Sequence, residues 1–191
     1  MASEESMKMN IHSVTGEWNK TVYDPYVNML RTQTEAMSAT LGGADSLTVL
    51  PFDSVFAGAN EFSERIARNQ QLLLREESHF DKTADPAAGS YYIENLTASM
   101  AGEAWKLFLE IERRRLLEAL YRGSVQERVA ATRNKRRSDV AREREASGTN
   151  IFPNQNEVVK DKPTGKSRNV PVGDQEVNLL RLAGQLKTLR R

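Results

Sequence analysis

Pro25 and the glycine pair Gly42-Gly43 bracket one strongly punctuated segment of this 191-residue chain, and that bracket constrains the fold more than any other feature. Asp24 is placed to cap a helix and Pro25 to take its first position, where a missing N–H costs nothing and the fixed φ suits the helix. Val27, Leu30, Met37 and Leu41 then recur near helical spacing until the glycines stop the helix. A β-like run precedes it from Met9 to Val14, and another follows from Ser46 to Leu50. The succession of strands and helices argues for an α/β architecture rather than a bundle.

The alternation continues. Pro51 and the Gly58 region read as a loop, and Glu61 to Ser78 as a helix with Phe62, Ile66 and Leu73 on one face. The stretch Asp85 to Ser90 has turn chemistry. Tyr91 to Ile93 then reads as a short strand before a long helix from Leu96 to Arg114, whose apolar surface comes from Met100, Trp105, Leu107, Phe108 and Ile111. From Glu118 to Glu145 the chain is helical and highly charged, with Val125, Val129 and Val140 as its few branched apolar residues. Beyond Ser147 it reads as an extended linker, closed by an amphipathic helix from Gln175 to Leu189. The expected organisation is a globular α/β part at residues 1–117, a charged helical extension at 118–146 and an irregular tail at 147–191.

Composition excludes several functions. The apolar runs fall short of the roughly 18 residues a membrane span requires, and MASEESMKMN lacks the pattern of a secretory signal, so a cytoplasmic protein without membrane contact is expected. With no cysteine there are no disulfides, thiolate ligands or cysteine nucleophile. Positive charge gathers at Arg113 to Arg115 and at Arg133 to Arg137, which opens the reading of a non-enzymatic helical binding module. Glu110, Glu112, Glu118, Glu127, Asp139, Glu143 and Glu145 are interleaved and weaken that field. No nucleic-acid partner is therefore expected, and the arginine run is predicted to face solvent or a protein partner.

Few residues carry chemistry. His79 reads as a helix-end residue, and the adjacent Glu76 and Glu77 point in different directions on a helix, which argues against an acid/base pair. Asp53 and Asp85 are expected to hold turns; Arg31, Arg65 and Arg68 to make ion pairs or subunit contacts; and Tyr23, Tyr26, Tyr91 and Tyr92 to close the core. The PTGKS beginning at Pro163 fails as a phosphate loop, because Lys160 stands where a glycine is required. No residues form a metal-binding cluster.

Long stretches carry a family resemblance: YDPYVNMLRTQTEAMSATLGGADSLTVLPFD from Tyr23 to Asp53, FSERIARNQQLLLREESH from Phe62 to His79, ADPAAGSYYIENLT from Ala84 to Thr97, and AWKLFLEIE. They resemble, in order, the later part of the barrel domain of the methylmalonyl-CoA mutase family, over roughly the first three quarters of the chain. The resemblance implies an eight-stranded (β/α) barrel that binds an acyl-CoA, and a separate flavodoxin-like domain that binds cobalamin. It also implies a reaction interconverting methylmalonyl-CoA and succinyl-CoA through radicals from adenosylcobalamin. A complete barrel takes about 250 residues, so this chain is expected to supply the later part of a (β/α)8 TIM-type barrel. The family's cobalamin marker, Asp-x-His-x-x-Gly, is not matched: His12 follows Asn10 and His79 follows Glu77.

The departures narrow the resemblance. Catalytic large subunits read HSQTSG where this chain reads HSVTGE from His12 to Glu17, and roughly HTNxxDEA where it reads TVLPFDSV from Thr48 to Val55. Val14, Glu17, Thr48, Leu50 and Ser54 thus replace polar, glycine and acidic positions, and Asp53 alone survives from the second signature. NKTVYDPYVNMLR and LPFD are similar to the small, non-catalytic subunit, which pairs with a large subunit. The resemblance implies no catalytic residue here, one candidate cofactor-binding residue (His12, at a strand's C-terminal end), and a chain inert without its partner. Arginines replace a glycine pair usual near Arg114, which predicts that the helices on either side run on as one.

Overall fold

The computed structural model describes residues 3, 5–58, 60–113, 115–143, 151–154, 168–172 and 175–179, and their side chains except those of 139–143 and 168–179. They fall into two compact units, one built mainly from residues up to Pro86 and the other mainly from the described residues within 87–151 and 168–179.

In the first unit, strand β1 (His12–Val14), helix α1 (Val27–Leu41) and strand β2 (Ser46–Thr48) form the expected βαβ unit. The strands pair in parallel with His12 opposite Ser46, Ser13 opposite Leu47 and Val14 opposite Thr48. Bonds from the Asp45 and Ser46 amides to the Ile11 carbonyl, and from the Thr15 amide to the Thr48 carbonyl, prolong the ladder at both ends. The architecture is α/β; a closed barrel is not among the described residues, whose parallel sheet has two strands.

Helix α1 begins two residues later than expected. Asp24 lies at φ +40, which is not the extended backbone of a capping residue, and the amides of Val27, Asn28 and Met29 bond to the carbonyls of Asp24, Pro25 and Tyr26 in a tight turn. The stop is as predicted: the Gly42 amide bonds to the Ser38 carbonyl, and Gly43 takes φ +75, which glycine adopts without strain.

The core corrects the apolar stripes expected on both helices. In α1 the buried residues are Asn28, Thr32 and Ala36, while Leu30 is 66% exposed. Helix α2 (Glu61–Leu72), capped by Asn60 Oδ1 accepting from the Ser63 amide, buries Ser63, Ala67 and Gln70 and leaves Phe62 half exposed. These small and polar residues meet across the helix pair: Gln70 Nε2 donates to the Met29 carbonyl at 2.7 Å and Gln70 pairs with the Thr32 hydroxyl. The apolar core is correspondingly small, comprising Ala36, Val49, Ala67 and Leu74 with Leu47 and Phe80 against them, plus a second cluster of Val22 and Val55. The helix then widens into a π-helical turn, Leu73–Glu77.

In the second unit, helix α3 (Tyr91–Arg113) starts where a short strand was expected at Tyr91 to Ile93. Gly89 at φ +79 closes the preceding turn, the Glu94 amide bonds to the Ser90 carbonyl, and the Glu94 carboxylate reaches back to the Gly89 amide. That start signal outweighs the strand preference of two tyrosines. No side chain of α3 is buried. The expected continuous helix through the arginines is broken: Arg115 sits at φ +56, ending α3 before helix α4 (Leu116–Tyr121). Gly123 at φ +78 separates α4 from helix α5 (Ser124–Glu143). Two bonds from Arg128 to the Glu110 carboxylate tie α5 to α3.

Strands β3 (Arg168–Val172) and β4 (Gln175–Leu179) pair antiparallel, with Val170 opposite Val177. This corrects the terminal helix expected from Gln175, whose part from Leu180 to Leu189 lies outside the described residues. The valines Val170, Val172 and Val177 favour the extended backbone there. Among the described residues no helix is long and apolar enough to cross a membrane.

The buried amide of Asn28 donates to the carbonyls of Thr21 and Phe52 and accepts from the Thr21 amide. Asn28→Ala is therefore expected to cost about 3 kcal/mol by stranding those groups, whereas Leu30→Ala on the exposed side should stay within about 0.5 kcal/mol. Urea unfolding followed by circular dichroism measures both.

Candidate functional site

The polar groups of the first unit gather along β1 and the chain that follows it. Burial along both strands runs exposed, intermediate, exposed, so Ser13 and Leu47 lie toward α1 while His12, Val14, Ser46 and Thr48 share the open face. His12, expected at a strand's C-terminal end, is instead the first residue of β1, and its ring spans the strand pair on that open face. Its Nδ1 hydrogen-bonds with the Ser46 hydroxyl at 2.6 Å and its Nε2 with the Thr48 hydroxyl at 3.1 Å.

The chain after β1 is held at almost every step. The Thr15 hydroxyl accepts from the Leu50 amide at 2.8 Å, fixing the loop after β1 to the one after β2. Glu35, in the middle of α1, then collects three donors: the Gly16 amide at 2.9 Å, Asn19 Nδ2, and Lys20 Nζ at 2.6 Å. Lys20 is 1% exposed, and its ammonium also donates to Asn19 Oδ1. Thr21 and Asn28 complete the run, and Arg31 Nη1 donates to Asn28 Oδ1 at 2.7 Å. Between β1 and α1 lies a cleft of about 270 Å³ with Ser13, Gly16, Thr34, Glu35 and Ser38 in its walls.

Burial dominates the electrostatics. It pushes the Lys20 ammonium below its ordinary pKa, against the opposing hydrogen bond and charge of Glu35. Burial likewise lowers Arg31, against the attraction of Asp24 and Glu35.

The other residues singled out in the sequence disperse. Asp53 holds its turn as expected: it is buried, accepts from Asn60 Nδ2 at 2.7 Å, and its carbonyl takes the amides of Phe56 and Ala57. His79 ends the helix at φ +53, beside exposed Glu76 and Glu77. Arg65 stacks over the Phe62 ring at 5.8 Å. Tyr23 is in the core, but Tyr26, Tyr91 and Tyr92 are exposed, which corrects their expected place there. Arg113, Arg115, Arg136 and Arg137 are exposed, as expected, and Arg122 pairs with Glu118. Residues 163–167 lie outside the described ones.

Sequence reading missed Lys20, Glu35, Thr32 and Gln70. The available signal was the absence of large side chains at Asn28, Thr32 and Ala36, and again at Ser63 and Ala67, four residues apart on each helix. Such a pair of small-residue stripes marks a close helix contact that polar bonds must complete.

The open face of the strands does not fit a holder of cobalamin. Both ring nitrogens of His12 are committed to hydroxyls, Val14 beside it has no polar side-chain atom, and among the described residues no three His, Asp or Glu side chains gather as a metal site.

A parallel βαβ unit with a second strand-to-helix step defines an α/β protein of a repeating strand–helix type. Comparison with known proteins carries this further. The family model for methylmalonyl-CoA mutase matches residues 1–183. The chain is 56% identical over 162 residues to the methylmalonyl-CoA mutase small subunit of Porphyromonas gingivalis, covering 84% of this chain and 26% of that one. It is 47% identical over 144 residues to the small subunit of Streptomyces virginiae, covering 74% and 23%. With a probable small subunit of Mycobacterium tuberculosis it shares 39% over 189 residues, covering 94% and 28%. This chain belongs to the methylmalonyl-CoA mutase family, and it spans about a quarter of the length of these small subunits.

The buried Lys20 sets a pH dependence. Between its lowered folded pKa and the ordinary 10.5 the unfolded chain binds more protons, so stability rises with pH through that window. Below the window the penalty is fully present. Lys20→Met removes it, so the stability difference between Lys20→Met and the wild type should shift in favour of the wild type as pH approaches 10.5, measured by urea unfolding across pH.

Proposed function

We propose that this chain acts as part of the small, structural subunit of an adenosylcobalamin-dependent acyl-CoA mutase, an isomerase interconverting methylmalonyl-CoA and succinyl-CoA in the cytoplasm. The observation that carries the reading is the 56% identity over 84% of the chain to a protein named as a mutase small subunit. In this reading the 1–117 part contributes strands and helices to a (β/α)8 barrel, and a large subunit supplies the acyl-CoA site and the cofactor domain. The cofactor supplies the radical chemistry when bound.

What this chain's own residues do is structural. Glu35, Asn28 and Gln70 hold the loops and helices that carry β1 and β2. His12 ties those strands together through its two ring nitrogens and is given no cofactor contact. No residue here is assigned a proton or a bond to break: Leu50 and Ser54 stand where the catalytic pattern carries an amide and a carboxylate.

The apolar surface of α3 supports the need for a partner. Tyr91, Tyr92, Met100, Trp105, Phe108 and Leu96 are all exposed on one helix, with Trp105 and Phe108 stacked at 5.1 Å, an unfavourable surface to leave in water.

Co-expression with a mutase large subunit, followed by size-exclusion chromatography and a mutase assay with adenosylcobalamin, tests the reading. Co-elution is expected, with turnover in the complex and none from this chain alone. A chain that stays monomeric beside the large subunit, or that turns over methylmalonyl-CoA unaided, would overturn it.

A further inference from the structure

The segment Gly16–Lys20 follows β1, its Gly16 lines the cleft between β1 and α1, and three of its donors converge on one carboxylate. Gly16 is exposed and a Cβ built on it would meet nothing within 4 Å, so packing does not hold it. What holds it is the bond from its amide to Glu35 Oε2, while Glu35 Oε1 takes Asn19 and Lys20 at the other end of the segment. Both ends of the strap are therefore fastened to the same helical side chain, and Gly16 and Glu35 both line the cleft.

We propose that Glu35 is a positioning residue that fastens the strap Gly16–Lys20 at the edge of this cleft, giving the chain after β1 one fixed conformation instead of a mobile loop. The physical basis is the number and kind of bonds. A carboxylate accepting from an amide, a side-chain amide and an ammonium makes charge-assisted bonds, each stronger than a neutral one. The ammonium of Lys20, 1% exposed, donates to both Glu35 and Asn19 Oδ1, so it links those two side chains. The strap is further tied beyond its ends, at Thr15 to Leu50 and at Thr21 to Asn28. Opening thus requires several bonds to break together, and removing Glu35 frees three of them at once. Removing Lys20 frees one contact to Glu35 and leaves the Gly16 bond in place. This inference does not depend on the mutase reading, since it concerns only the local motion of the strap.

Residue-resolved amide exchange on the full chain tests it. In the wild type the exposed Gly16 amide should exchange at least about 10-fold more slowly than an open-chain glycine. Glu35→Gln should bring it to within about 2-fold of the open-chain rate while the α1 amides keep their protection. Lys20→Met should leave Gly16 protected. A wild-type Gly16 that exchanges at the open-chain rate overturns the lock, and this reading stands even if Glu35→Gln fails to fold. Retained protection in Glu35→Gln, or equal loosening by Lys20→Met, would show that Glu35 is not the fastening point.

Discussion

One buried side-chain amide joins three stretches that the sequence keeps apart. Asn28 sits in the first turn of α1, yet it binds the backbone of Thr21 before the helix and of Phe52 after β2. A buried backbone group without a partner costs about 1–3 kcal/mol, so both loops are committed to the position of this one residue. Arg31 shares its oxygen, and one and two turns further on Thr32 and Glu35 extend the same polar line toward Gln70 of α2 and toward the strap after β1. The first unit is thus organised by a ladder of polar bonds along α1, around an apolar core that is small for its size.

That arrangement explains which parts of the fold were legible. Gly42 and Gly43 declared the end of α1 because only a glycine takes Gly43's φ of +75 without strain. The α/β class followed from the succession of strand, helix and strand in sequence, and the fold pairs the two strands in parallel. The faces were misread because hydrophobic periodicity assumes that the buried side is the apolar one. Here Leu30 and Phe62 point outward while Asn28, Thr32, Ser63 and Gln70 point in, each supplied with a partner that only the fold brings near. The start of α3 was missed for a local reason, as the propensity of Tyr91 and Tyr92 spoke for a strand while Ser90 and Glu94 spoke for a helix start. Arg115 defeated the expectation of a continuous helix through a backbone conformation that side chains rarely adopt.

The site was legible in a different way. His12 was identified by its place in a motif, and its geometry gives that place a structural content: one ring bridging two hydroxyls of the neighbouring strand. The Glu35 and Lys20 pair could not have been read from spacing, since fifteen residues separate them and a lysine is seldom buried. The exposed aromatic surface of α3 and the polar interior of the α1–α2 pair describe a chain whose own core is modest and whose apolar faces are turned outward.

The role of His12 tests the structural reading most directly. In the complex with a large subunit, His12→Ala should leave kcat within about twofold of the wild-type complex, since no bond to the reacting atoms is lost and 1.4 kcal/mol would be needed for a tenfold effect. A fall in kcat of about a hundredfold or more, at saturating cofactor and with the complex intact, would place this chain inside the chemistry and contradict the account.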